Sequence, residues 1–261
     1  MKRFLLICTF ILSAIGSLFA GEMVLRGTYQ GDNLYVKNPF ASSGVGFCVY
    51  EVTVNGATST DEINSSAFEI DLSVYGFKIG DEVLVAIRYK DDCLPKVLNP
   101  DVLSPKATFN VQSIKIEGER LVWSTLNESG RLPFIVEQFR WNKWVKVGEL
   151  EGKGAPGSNS YSVPLRFHSG ENRFRVRQTD SKSKSKLSPE VTLTAAIPEV
   201  TFTPERVDDL ISFSSPTMYE IYDEYGGIVF KGYGSSVKVA GLQKGRYYIN
   251  YDNKMERFTK K

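Results

Sequence analysis

From Asn33 to Asp252 the chain is cut into short runs in which β-branched and aromatic residues alternate with polar ones: "NLYVKN", "FCVYEVTVNG", "AFEIDL", "DEVLVAIRY", "SIKIEG", "RLVWST", "FIVEQF", "KWVKVGEL", "NRFRVRQ", "EVTLTA", "YEIYDE" and "GRYYINYD". Gly, Asn, Asp or Pro bounds each run, and these are the residues that turns require. A period of two places successive side chains on opposite faces of a pleated strand. No stretch of about 12 residues shows the spacing of an amphipathic helix. Many short strands at this spacing predict an all-β chain of sandwiches or barrels, not a parallel sheet with crossover helices.

The amino terminus sets the compartment. Lys2 and Arg3 precede an uncharged apolar run from Phe4 to Phe19, and "SLFA" followed by "GEM" predicts cleavage after Ala20. The rival reading is a membrane anchor, but the run of about 16 residues is shorter than the roughly 20 needed to span a bilayer. Cys8 lies inside the run and lacks a lipoprotein context. Of 32 basic and 30 acidic residues, cleavage removes two basic ones, so the mature chain is neutral. A neutral chain without a basic stripe offers nucleic acid no electrostatic footing. Cys48 and Cys93 remain, and two cysteines in an oxidising compartment predict one disulfide. A zinc site would need further ligands, and the single histidine, His168, sits in the loop-like "RFHSGEN".

Punctuation gives the boundaries. Two prolines in "LNPDVLSPKATFNV" and the segment "TAAIPEVTFTP" divide the chain into a signal peptide (1–20) and three small β-sandwich modules, 21–107, 108–197 and 198–261. In the first module "VTVNG" predicts a hairpin at Asn55–Gly56, and Gly80–Asp81 a turn into a central strand. The glycines around Val45 read as an exposed turn, since no Lys-Ser/Thr follows as a phosphate-binding loop requires.

The second module resembles the fibronectin type III-like domains of secreted Bacteroidetes proteins. The residues that carry the resemblance are Trp123, Thr125, Glu128, Val136, Glu137, Trp144, Gly148, Gly152, Gly154, Tyr161, Phe174, Arg175, Gln178 and Asp180. It implies a fold and no activity. Trp123 and Phe174 fall on inward positions. Trp141, in "FRWNKW", falls at a hairpin tip, where an indole either stacks on a sugar or partner or covers its own sheet. Lys182, Lys184 and Lys186 in "SKSKSK" form either a cation cluster for anionic surfaces or a solvated turn that blunts an edge strand.

The third module resembles the C-terminal sorting domain, type A-like, of proteins exported by the type IX secretion system of the Bacteroidetes. Ile221, Tyr222, Asp223, Gly226, Val229, Leu242, Gly245, Tyr247, Phe258, Lys260 and Lys261 occupy the motif positions. The resemblance implies that the translocon reads this module as a folded or edge-strand feature. An Asn-Pro pair usually opens the family's domain; Thr203-Pro204 stands here, which leaves sorting and a purely structural module both open.

Catalysis has little support in the sequence. One histidine offers a poor base for a nucleophile, and the adjacent pairs Asp91–Asp92 and Asp208–Asp209 point to opposite faces of a strand. No catalytic residue, metal ligand or cofactor is expected. The expectation is a non-enzymatic secreted or cell-surface binding or structural protein, with the first module as the partner-binding part and a protein or glycan of the envelope as partner. The alternative is a periplasmic or outer-membrane-associated accessory component whose last module docks and does not sort.

Overall fold

The computed structural model describes residues 20–90 and 93–261; the expected signal peptide up to residue 19, with Cys8, and the pair Asp91–Asp92 lie outside the described residues. The described chain is built from strands, with two short 3-10 turns at Leu72–Tyr75 and Pro100–Leu103. Among the described residues no helix is long and apolar enough to cross a membrane. Two compact units result, one formed by residues up to Leu103 (Ile79–Asp81 excepted) and the other chiefly by Ser104–Lys261.

The first unit has strands β1 (Ala20–Thr28), β2 (Leu34–Lys37), β3 (Val49–Val54), β4 (Ala57–Thr58), β5 (Ala67–Ile70), β6 (Glu82–Lys90) and β7 (Lys96–Val97). They form two sheets, β1-β6-β3-β4 and β5-β2-β7. Alternation along β6 buries Val83, Val85 and Ile87 against Leu34, Val36 and Ile70 of the facing sheet. The turn between β3 and β4 holds Asn55 at φ 48° and Gly56 at φ 83°, the left-handed pair a two-residue hairpin demands. Cys48 and Cys93 are joined, their Cα atoms 5.8 Å apart. The loop around Val45 folds back as a turn: Phe40 stacks on Phe47 at 4.4 Å, and Lys90 Nζ donates to the Val45 carbonyl at 2.8 Å.

The second unit holds two hydrophobic clusters. Its first part comprises β8 (Asn110–Glu117), β9 (Arg120–Leu126), β10 (Pro133–Arg140), β11 (Lys143–Glu151), β12 (Asn159–Pro164), β13 (Gly170–Thr179), β14 (Ser185–Leu187) and β15 (Val191–Ala195). A sheet β12-β9-β8 faces a sheet β11-β10-β13, whose far edge is shared by β14 and β15 along β13. Trp123, Phe134 and Phe174, all fully buried, form the centre of the sandwich.

The residues behind the fibronectin type III resemblance have packing roles. Glu128, 1% exposed, accepts from the hydroxyls of Thr125 and Tyr161 and from the Gly154 amide at 2.8 Å, so its buried oxygens are satisfied. Gly154 has φ 75°, and a Cβ there would sit 2.6 Å from the backbone of Gly130 and Arg131. Glu137 holds Arg175 and Arg177 at 2.8 and 2.9 Å, while the Arg175 guanidinium lies 4.0 Å from the Trp144 ring centroid.

The last part comprises β16 (Phe202–Thr203), β17 (Arg206–Val207), β18 (Leu210–Tyr222), β19 (Ile228–Lys238), β20 (Gly245–Tyr251) and β21 (Lys254–Lys260). Their order is β16-β18-β20-β21-β17, with β19 along the other edge of β18. The two ends of this path, β16 and β17, are separated in the chain by Pro204 and Glu205 alone, so the sheet curls around one core of Phe202, Ile211, Ile221, Ile249, Tyr251 and Phe258. A register shift between Ser212 and Thr217 bends β18, which lets its first half pair with β16 and its second half with β20. The Thr203–Pro204 peptide is cis.

Candidate functional site

Trp141 shows most clearly where sequence and structure part. The hairpin is where the sequence places it, since Arg140 pairs with Lys143 across a two-residue turn. Trp141 and Asn142 both have positive φ, 53° and 57°, which costs a bulky residue about 1–2 kcal/mol. The indole is not exposed to a ligand, however. It is 6% exposed and donates from Nε1 to the carbonyls of Asp252 at 3.1 Å and Tyr251 at 3.4 Å. The tip of the middle module's hairpin is therefore inserted beside the turn between β20 and β21.

Around it runs a buried polar network. Asp252, 1% exposed and at φ 48°, accepts from the Ser169 amide at 2.9 Å, the Ser169 hydroxyl at 2.5 Å and the Val200 amide at 3.2 Å. Its own amide donates to Thr217 Oγ1 at 3.0 Å, and Asn253 Nδ2 donates to the Ser169 carbonyl at 2.8 Å. His168, placed by sequence in a polar loop, is 4% exposed, and its Nδ1 lies 2.8 Å from the Ser169 carbonyl. Burial, with Arg140 nearby, holds its pKa below the usual histidine range. Burial likewise pushes the Arg140 guanidinium down to about 10, which leaves it charged at neutral pH; it donates to Gln138 Oε1 at 2.5 Å. Lys143 donates to Glu220 Oε2 at 2.6 Å and to the Tyr222 hydroxyl at 2.7 Å.

The lysines of "SKSKSK" do not act as one patch. Asp180 Oδ1 accepts from the amides of Lys182 and Lys184 at 3.0 and 2.9 Å and so shapes the turn. Lys186 instead belongs to β14 and donates back to the Thr108 carbonyl at 3.1 Å and to Asn110 Oδ1 at 3.0 Å. The reading of Lys186 as a surface-binding cation is thereby corrected, because backbone and amide oxygens of its own module claim its ammonium.

In the last module Asp223 and Gly226 make the β18–β19 turn: Asp223 Oδ1 accepts from the amides of Tyr225 and Gly227 at 3.0 and 2.7 Å, and Gly226 has φ 82°. Tyr247 stacks on Phe258 at 5.5 Å, Leu242 packs on the same core, and Gly245 opens β20 opposite Lys260. The end of the chain is not an edge. β17 pairs parallel to β21, and the amides of Thr259 and Lys261 reach the carbonyls of Glu205 and Val207, both at 2.9 Å. Lys260 is 9% exposed, and Lys261 lies 3.6 Å from Asp208. The expectation of an edge strand here is corrected accordingly, since β20 and β17 flank Thr259 and Lys260 on both sides.

Open grooves occur in both units. In the first, Met23 and Leu25 of β1 face Leu94 and Val97 across about 650 Å³. In the second, about 590 Å³ separates Trp144 and Lys146 from Met218 and Tyr233. A third groove, of about 580 Å³, lies on the outer face of the curled sheet between Tyr222, Tyr248, Asn250, Met255, Glu256 and Arg257. Cross-strand register builds it, with Tyr222 opposite Tyr248 opposite Arg257 and, one step along, Asn250 opposite Met255. Among the described residues no three His, Cys, Asp or Glu side chains are placed to hold a metal ion. Sequence reasoning singled out Tyr222 but missed Tyr248, Asn250 and Arg257. The signal was the alternation in "GRYYINYD", whose Tyr247, Ile249 and Tyr251 line the core while Tyr248 and Asn250 lie on the other face of the strand.

No family model matches the chain, and no curated protein matches it. Among solved structures the chain is similar to the tetra-tandem repeat in the extending region of a large adhesion protein, at TM-score 0.30 and 11% identity over 92% of this chain and 73% of that one. It is similar to the mouse nectin-like molecule 4 ectodomain at TM-score 0.20 and 14% identity, over 92% of each chain. Similarity to a β-glucuronidase from Ruminococcus gnavus has TM-score 0.20 and 13% identity, over 74% of this chain and 38% of that one. Likenesses at such TM-scores carry no weight for function, and the all-β assignment rests on the strands and cores described above.

Proposed function

We propose that the chain is a non-enzymatic binding or structural protein that acts outside the cytoplasm, exported first by the general secretory route and then by type IX secretion to the cell surface or medium. The observation that carries this reading is the Cys48–Cys93 disulfide, a cross-link that persists in oxidising compartments. The signal-peptide pattern at residues 1–20 and the sorting-domain resemblance of residues 198–261 supply the route. The side chains that catalysis would recruit support the non-enzymatic part. His168 is buried with Nδ1 against a backbone carbonyl, and Asp208 is an exposed partner of Lys261. The first module is the partner-binding part in this reading, because its two neighbours resemble generic modules.

Cell-surface fractionation tests the proposal. A tagged chain in its native host is expected to be degraded by protease added to intact cells, and to be lost from the surface in a strain lacking type IX secretion. Full protease protection, with normal amounts in that strain, would sink the surface reading. It would favour a second one, an envelope component whose last module docks. The Trp141 junction favours that second reading, since a module destined for removal has no need of a buried tie to its neighbour.

A further inference from the structure

His168 Nε2 and Arg140 Nε are buried, make no hydrogen bond among the described residues, and belong to neighbouring groups at the junction of the middle and last modules. His168 Nδ1 lies 2.8 Å from the Ser169 carbonyl, which only accepts, so Nδ1 carries the proton and Nε2 is the bare nitrogen. A second proton can therefore arrive only at Nε2. The same Ser169 carbonyl accepts from Asn253 Nδ2, and Asp252 holds the Ser169 amide and hydroxyl, so the residue that fixes the imidazole also joins the two modules. Charge at the junction balances while His168 is neutral. Arg140 of β10 feels Asp252 of the β20–β21 turn and Glu220 of β18, and Glu220 is shared with Lys143 of β11. Arg166, in the loop that carries His168, turns instead to the Tyr233 ring, 4.2 Å from its centroid.

We propose that this junction is a proton-operated release: acid charges His168, and the last module parts from the middle one while both cores stay folded. Arg140 and Lys143 already match Asp252 and Glu220, so a charged imidazole brings an unmatched positive charge into a site where His168 is 4% and Arg140 5% exposed. A buried charge without a partner of its own is strongly disfavoured. Separation relieves it by hydrating both cations. The contacts given up are those of the Trp141 indole and of Asp252, whereas the clusters around Trp123 and around Ile249 lie within separate modules. Residues 196–199, which connect the modules, are exposed and form the tether. The sign follows from linkage. Burial first, with Arg140, holds the pKa of His168 in the joined state below the usual range, against the pull of the Ser169 and Phe139 carbonyls and of Asp252. Once freed, the imidazole returns to about 6.5, so below that value the joined state loses up to about tenfold in its equilibrium constant per pH unit, until the joined-state pKa is reached. Release of this kind does not depend on the export route proposed above.

The test follows the purified mature chain by NMR from about pH 7.5 to about pH 4.5, the range in which histidine titrates. His168 is the single histidine, so its imidazole C–H signals report its protonation directly. The Trp141 indole N–H reports the junction and that of Trp123 the middle core, while small-angle scattering gives the radius of gyration. One shared midpoint is expected for His168 and Trp141, below about pH 6.5, with a larger radius on the acid side, an unmoved Trp123 signal and full reversal on neutralisation. His168→Asn, which keeps a donor toward Ser169, is expected to stay joined throughout. Arg140→Gln, which removes the opposing cation, is expected to raise the midpoint of His168 toward about 6.5 and to flatten the opening. A parent that stays joined at the acid end, a Trp141 midpoint apart from that of His168, or a Trp123 signal lost together with that of Trp141 overturns the proposal. So does acid opening unchanged in His168→Asn, which would assign the proton to Asp252. Should His168→Asn be separated already at neutral pH, the coincidence of the two parental midpoints and the shift in Arg140→Gln decide.

Discussion

Removing the Trp141 indole asks whether the last two modules are one cooperative structure or two neighbours. The ring is almost wholly buried and makes two hydrogen bonds to the β20–β21 turn. A tryptophan buries roughly 150–250 Å², which at about 25 cal/mol per Å² amounts to roughly 4–6 kcal/mol as an upper bound. Large-to-small substitutions of buried aromatics cost about 3–5 kcal/mol, so Trp141→Ala is expected to remove at least about 3 kcal/mol from the junction. Each module keeps its own hydrophobic cluster, so the loss falls on their coupling and not on either core. Calorimetry of the mature chain should show the last module melting ahead of the middle one, lower by on the order of 15 °C. Trp141→Phe, which keeps most of the apolar contact and loses the donor, should cost about 1–2 kcal/mol. If Trp141→Ala leaves one joint transition within about 2 °C of the parent, the junction is a contact without coupling and the reasoning is wrong.

Asp252→Ala should destabilise the same junction by about 3 kcal/mol, because the Ser169 and Val200 amides lose their acceptor; paired with Trp141→Ala in a double-mutant cycle, the two losses should not add. His168 gives a pH dependence of known sign. Burial depresses its folded-state pKa, so below the ordinary value of about 6.5 the unfolded chain binds the proton more readily. Stability should therefore fall as the pH drops through that value and level off below the folded-state pKa. Denaturant titrations between about pH 5 and 7 should lose part of this slope in His168→Asn. Reduction, or Cys48→Ser, should cost the first unit roughly 4 kcal/mol for a loop of 45 residues, seen as a lower melting transition in reductant that leaves the second unit unmoved. Lys186→Ala should cost the middle module about 1 kcal/mol through its bonds to Thr108 and Asn110, whereas Lys184→Ala should stay within about 0.5 kcal/mol in the same melting assay.

What the residues reveal on their own follows from the range of the interactions involved. Alternation in "DEVLVAIRY" reports which side of a strand faces a core, and the buried Val83, Val85 and Ile87 follow from it. Asn55–Gly56 is equally local, since two left-handed residues are a property of the dipeptide. Trp141 is legible only in part: its hairpin is local, but the surface that covers it belongs to residues more than 100 positions away. The same holds for His168, whose flanking Arg, Ser and Glu suggest solvent while Asp252 and Arg140 enclose it from other elements. Tyr248 is legible in part as well. Its outward register is in the sequence, but the Tyr222 and Arg257 beside it are brought there by strands β18 and β21.

The pairing of β17 with β21 makes β21 an interior strand, and this has a consequence for the order in which the module forms. Arg206 cannot find Thr259 until the strands between them have been synthesised, so the seam is the last part of the module to close. A chain that stops short at Asn253 would carry almost the whole core sequence and still present two open flanks, those of β17 and β20. The seam thus makes β21 the strand on which the closure of the module depends, since its pairing alone covers the facing flanks of β17 and β20.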